Sequence, residues 1–184
     1  MKEKVFKSME SSMEKSIAAF QKELNRLRTG RASPALLEGI RVDYYGTPTP
    51  IDQTASINIP ESRLIVIQPW DKSTIESIEK AIQKANLGLS PTNDGKVIRI
   101  NIPPLTEERR KDMVKQVKKL AEDHKVGVRD SRRAALGMLK DLVKEGLPQD
   151  DGKRAEKSVQ DLTDEFVQKI DDMAAAKEKE VLEV

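Results

Sequence analysis

LTEERRKDMVKQVKKLAEDHKVGVRDSRRAALGMLKDLVKEG, residues 105–146, keeps a helical apolar period from end to end without one proline. At 3.6 residues per turn it predicts a single helix about 60 Å long, whose side chains sort into three arcs. Met113, Val117, Leu120, His124, Val128, Ser131, Ala135, Met138, Leu139 and Leu142 fall on one face, which needs a packing partner. Lys111, Lys115, Lys118, Lys125, Arg129, Arg132, Arg133 and Lys140 share a second arc, in which Glu122 is the only acid beyond the first turn. Asp112, Asp123, Asp130 and Asp141 occupy the third. Solvated helices normally intersperse their signs, so a cationic line of this length has the form of a surface for a long polyanion.

Outward from this helix, Gly146 and Pro148 mark its end, and Val159, Leu162, Phe166, Ile170, Met173 and Val181 set out a second stripe. At the other end of the chain Val5, Met9, Met13, Ile17, Phe20, Leu24 and Leu27 recur every three or four residues, with Gly30 where a C-terminal cap belongs. None of the three can bury its apolar face alone, and a short loop joins the last two. The expected body is an elongated antiparallel three-helix bundle built from residues 1–30 and 105–184.

Residues 31–104 change character and predict an inserted small β/α/β domain, so the fold class is α+β. Ile40-Arg41-Val42-Asp43-Tyr44, Ser56-Ile57-Asn58-Ile59 and Lys96-Val97-Ile98-Arg99-Ile100 alternate as strands do, and Leu64-Ile65-Val66-Ile67 reads as a more deeply buried one. Tyr45-Gly46-Thr47-Pro48-Thr49-Pro50 and Ser90-Pro91-Thr92-Asn93-Asp94-Gly95 read as turn clusters. Ser73 with Glu76 three residues on predicts a capping box, opening a helix with Ile75, Ile78, Ile82 and Ala85 on one face. The two crossings between the bodies, 30–31 and 103–105, are short enough to form a joint that bends without wandering.

Composition narrows the function. The 184 residues carry a net charge of +2, no cysteine and one histidine, which removes disulfide frameworks, thiolate metal sites and nucleophilic triads from consideration. No phosphate-cradling glycine loop is present, the carboxylates form no pair suited to acid–base work, and neither a cofactor nor an enzymatic activity is expected. No apolar run reaches the roughly 20 residues of a membrane span, and Met1 to Glu14 is charged rather than built as a signal peptide, so the expected compartment is the cytoplasm. Charge is divided along the chain: residues 106–147 hold 12 bases and 8 acids, residues 148–184 hold 6 and 11. Only one flank of the bundle suits nucleic acid.

Four segments in order, Arg28-Thr29-Gly30-Arg31-Ala32-Ser33-Pro34, Tyr44-Tyr45-Gly46-Thr47-Pro48-Thr49-Pro50, Pro103-Pro104-Leu105-Thr106-Glu107-Glu108-Arg109-Arg110-Lys111 and Val128-Arg129-Asp130-Ser131-Arg132-Arg133, resemble the bacterial ribosome recycling factor family across essentially the whole chain. The resemblance implies an L-shaped, transfer-RNA-sized monomer that enters the post-termination ribosome. Together with elongation factor G and that partner's GTP hydrolysis, it would split the subunits and release mRNA and tRNA. It implies contact with large-subunit ribosomal RNA at the intersubunit face through Arg129 and Arg132, where guanidinium forks engage two phosphate oxygens or stack on bases. Arg133, Lys118 and Lys125 on the same arc, and Arg28, Arg31 and Arg110 near the joint, complete the expected RNA-binding set. Gly30, Arg31, Pro103, Pro104 and Leu105 become the hinge through which elongation factor G moves the small domain.

Plainer readings stand beside these. A surface arginine cluster is more often solvated and paired with neighbours such as Asp130. Pro103, Pro104, Thr106, Glu107 and Glu108 serve as strand stop, cap and first-turn acids without any partner. His124 is expected packed on the apolar arc, Trp70 as a core or rim anchor of the small domain, and only one of Tyr44 and Tyr45 buried. Two rival functions remain open. A scaffold docking proteins through the acidic last helix would bind insensitively to salt, and a general RNA chaperone would accept naked RNA as readily as ribosomes.

Overall fold

The structure, a computed structural model, describes residues 1–183; Val184, which the sequence assigns to the bundle, lies outside them. In chain order the elements are α1 (Lys2–Arg26), β1 (Arg41–Tyr44), β2 (Thr47–Pro50), β3 (Ala55–Glu61), β4 (Leu64–Pro69), α2 (Ile75–Lys84), β5 (Pro91–Asn93), β6 (Ile98–Asn101), α3 (Glu107–Lys144) and α4 (Gln149–Leu182). They form two compact units, Met1–Leu27 with Glu108–Glu183, and Arg28–Glu107.

The first unit is three helices. The Ser12 hydroxyl meets that of Ser131 at 2.8 Å while the Phe20 ring lies 5.2 Å from that of His124, so α1 runs antiparallel to α3. Arg132 meets Gln160 and Lys125 meets Asp171, so α3 runs antiparallel to α4. The turn between the last two is closed by Gly146 at φ +115°, with Leu147 N–H donating to the Leu142 carbonyl and Gly146 N–H to that of Val143. This paired closure satisfies carbonyls that would otherwise be orphaned at the end of α3.

One buried residue per turn builds the core, from Met9, Met13, Phe20 and Leu24 through Val117, Val128 and Leu139 to Val159, Phe166 and Ile170. Burial on α3 is centred further round than the sequence placed it, because α1 and α4 flank the helix on both sides. Ala121 is buried, while Met138, expected in the packed arc, is 44% exposed. Helix α1 stops at Arg26 with Leu27 extended at ψ 125°, so Gly30 is no helix cap. Gly30 belongs to the following turn, at φ +79°, where a Cβ would stand 3.2 Å from Leu105 Cγ. Positive φ and this close approach together reserve the position for glycine.

In the second unit β1 and β2 form a hairpin, and β3-β4-β6-β5 an antiparallel four-stranded sheet. The hairpin turns on Tyr45 (φ +49°) and Gly46 (φ +83°), the two-residue loop whose twist matches its strands. Ile65 pairs with Ile100 and Ile67 with Ile98, so one face of the sheet presents four isoleucines to Ile75, Ile78 and Ile82 of α2.

Several expectations change here. Thr47-Pro48-Thr49-Pro50 and Pro91-Thr92-Asn93 are strands rather than turns. Asp71, not Ser73, caps the α2 region: it accepts from the Ser73 N–H at 3.0 Å and the Ser73 hydroxyl at 2.8 Å, a 3-10 turn (Lys72–Thr74) intervenes, and Ala85 is exposed. Trp70 is 68% exposed rather than a core anchor, because Ile65, Ile67 and Pro69 alternate inward and the next position faces out. Tyr45 is 71% exposed, its hydroxyl donating to Asp71, and Tyr44 is half-buried.

Candidate nucleic-acid interface

The cationic arc of α3 divides by angle into an outer strip and an edge against α4. Lys115, Lys118, Arg129 and Lys140 are exposed on the strip and make no ion pair among the described residues. Lys111 is exposed there too. Arg133 is also on it, its Nη1 donating to Asp130 at 3.1 Å one turn back, with both side chains largely open to solvent. Exposed pairs of this spacing contribute only about 0.2–0.5 kcal/mol, so an incoming phosphate can replace Asp130 at little cost.

The edge residues are held by the acidic helix. Lys125 bonds to Asp171 and, at 3.1 Å, to Glu122, and its side chain is only 13% exposed. The Asp171 carboxylate foremost, and Glu122 after it, raise the ammonium pKa above the ordinary lysine value. Its charge is thus spent inside the bundle. Arg132 is half-buried, and its Nε donates to Gln160 Oε1 at 2.7 Å. The two terminal nitrogens of its guanidinium make no hydrogen bond to the described residues. Gln160 in turn donates through Nε2 to Asp164 at 2.8 Å. Nothing in the sequence marks Gln160 as a partner of Arg132, since they lie on different helices; only the α3–α4 register brings them together.

The remaining expected contacts are dispersed. Arg110 is half-buried on α3 with its Nε enclosed and without a hydrogen-bond partner among the described residues. Arg28 and Arg31 belong to the second unit, where Arg28 Nη1 donates to the Leu87 carbonyl at 2.7 Å. Gly30, Arg31, Pro103, Pro104 and Leu105 also lie inside that unit, whose boundaries fall at 27/28 and 107/108. Lys118, Arg129, Arg132 and Arg133 are therefore the members that the fold gathers on one face with charge still available. His124 is packed on the Phe20 ring and bonded to Glu23 at 3.0 Å. Among the described residues no three His, Cys, Asp or Glu side chains converge as metal ligands, and no helix is long and apolar enough to cross a membrane.

The family model for ribosome recycling factor matches residues 20–182. The chain is 59% identical over 185 residues to the ribosome-recycling factor of Geotalea uraniireducens (strain Rf4), with 100% of each covered. It is 57% identical over 183 residues to that of Nitratidesulfovibrio vulgaris (strain DP4), covering 99% of this chain and 98% of the relative. A solution structure of the ribosome recycling factor superposes with a TM-score of 0.80 at 45% identity, covering 100% and 98% of the two chains. Models for the T. thermophilus ribosome recycling factor and the E. coli elongation factor G bound to the E. coli post-termination complex include a chain matching at a TM-score of 0.68 and 46% identity, covering 99% of each. On sequence along its whole length and on fold, the chain belongs to the ribosome recycling factor family.

Proposed function

We propose that the protein binds the post-termination ribosome, lays the outer strip of α3 along large-subunit ribosomal RNA at the intersubunit face, and acts with elongation factor G to split the subunits. GTP hydrolysis belongs to that partner, and this protein supplies a shaped, charged body rather than a reaction. Arg129 carries the reading: it stands near the middle of a helix about 57 Å long, exposed, on the same strip as Lys118 and Arg133, and unspent on any carboxylate among the described residues. A guanidinium so placed can present two parallel donors to a phosphate or its plane to a base. The structural relative bound with elongation factor G to a post-termination complex supports the choice of partners.

The test measures affinity for the large subunit and splitting of post-termination ribosomes with elongation factor G and GTP. Arg129→Ala and Arg132→Ala each weaken binding by about ten- to a hundredfold, the range for a charged hydrogen bond, and leave the circular dichroism unchanged. Wild-type affinity in both variants at physiological salt would remove the RNA-facing role of α3. Equal affinity for naked RNA would point instead to a general chaperone.

A further inference from the structure

Two cations seven residues apart on the same edge of α3 are both anchored by α4, with opposite electrical results. Lys125 meets the carboxylate of Asp171, whose negative charge balances its own. Arg132 meets the amide oxygen of Gln160 at 2.7 Å and keeps its full charge. The amide orientation is dictated by its neighbours: a guanidinium has no acceptor and a carboxylate has no donor, so the carbonyl must face Arg132 and the NH2 must face Asp164, 2.8 Å away. Asp164 thus steers Gln160 without touching Arg132.

We propose that Gln160 is a positioning residue for the RNA contact of Arg132. It captures Nε, the guanidinium nitrogen attached to the side-chain stem, and so restrains the plane of the group. Both Nη nitrogens and the undiminished charge remain for a phosphate. A neutral acceptor orients the side chain where a carboxylate would also discharge it, and immobilising the fork beforehand removes part of the ordering cost of binding. This rests on the reading that Arg132 meets RNA.

The experiment uses the full chain and isolated large subunits at fixed physiological salt, with Gln160→Met, Gln160→Glu, Arg132→Ala and the double variant Gln160→Met/Arg132→Ala. Gln160→Met, similar in length but without the acceptor, weakens binding about three- to tenfold, as loss of one hydrogen bond does. The double variant binds no more weakly than Arg132→Ala alone. Gln160→Glu also weakens binding although it keeps an acceptor, because it neutralises the guanidinium. In the free protein the Arg132 Nε–H nuclear resonance exchanges slowly with solvent, and in Gln160→Met it exchanges fast. An undiminished Gln160→Met penalty in the Arg132→Ala background, wild-type binding by Gln160→Met or Gln160→Glu, or unchanged Nε–H exchange would each overturn the assignment. Wild-type affinity in Arg132→Ala would overturn the parent reading as well, and so separates the two failures.

Discussion

The two units store their register in different places. In the helical unit the apolar stripes repeat every turn, so a slide of one turn would still bury apolar against apolar. What distinguishes the native alignment is local: the Ser12–Ser131 hydroxyl contact, the Ser131 hydroxyl on the Gly127 carbonyl at 3.1 Å, His124 between Phe20 and Glu23, and glycines where helices come close. A Cβ on Gly127 would stand 3.2 Å from Ser16 Oγ, and one on Gly152 2.8 Å from Val143 Cγ2. In the second unit the buried core cluster is aliphatic, and the side chains of buried Thr54 and Thr74 bond within their own turns, Thr54 to the Ile51 carbonyl and Thr74 to that of Asp71. There the two-residue hairpin and the sheet ladder hold alignment, since a one-residue slip would turn every isoleucine outward. Helical register is written in side chains and sheet register in the backbone.

Three interventions press on that difference. Phe20→Ala removes the largest fully buried side chain and the platform for His124, and should cost about 3–5 kcal/mol in denaturant unfolding. Amide exchange should accelerate throughout α1, α3 and α4 and spare the β3–β6 sheet; equal acceleration in both units would mean that they share one register. Gly152→Ala should cost about 1–3 kcal/mol, read as a lower Tm, because the new methyl meets a branched valine rather than the mobile end of a long side chain. A neutral outcome would show that the α3–α4 contact has slack.

Titration gives the smallest effect: acid acts on the second unit, whereas base acts on both, because the Asp71 carboxylate also raises the Tyr45 pKa. Asp71 is held below the usual carboxylate range by the Tyr45 hydroxyl and then by Ser73, and Asp94 by the Val97 and Lys96 amides and then Arg99. Depressed carboxylates stabilise above their unfolded pKa of about 3.9, and that stability is lost as pH falls below it, so acid loosens the second unit at the Tyr45 turn and the β5–β6 loop. Lys125 has a raised pKa, so its contribution is intact below about 10.4 and fades as pH climbs beyond, loosening the α3–α4 edge. Residue-resolved amide exchange at both extremes reads this, and acid loosening confined to the helices would contradict it.

The helices were legible because a 3.6-residue apolar period survives any detail of packing, and most of each stripe sits in the core: Val5, Met9, Met13, Phe20 and Leu24, then Val117, Val128, Ala135 and Leu139, then Val159, Phe166 and Ile170. The strands at Thr47–Pro50 and Pro91–Asn93 were not, because proline normally argues against a strand. Both are edge strands, β2 in its hairpin and β5 at the rim of the larger sheet, where a missing N–H leaves no central ladder bond broken. For the candidate interface, the wheel found the outward residues Lys118, Arg129 and Arg133. It could not separate Lys125 from Arg132, because both lie at the edge of the arc and their fates depend on whether a carboxylate or an amide of α4 stands opposite. That information is carried by a residue pairing across helices, which periodicity does not encode.

The Ser12–Ser131 contact joins positions 119 residues apart. At ordinary synthesis rates of about 5–20 residues per second, α1 leaves the translating machinery roughly 6–24 s before the segment it packs against. The β-rich unit, with its contacts close in sequence, is complete within that interval. The newborn chain therefore holds a finished module beside an unpaired amphipathic rod, and its apolar stripe stays open to chaperones or to aggregation until the α3–α4 hairpin closes over it.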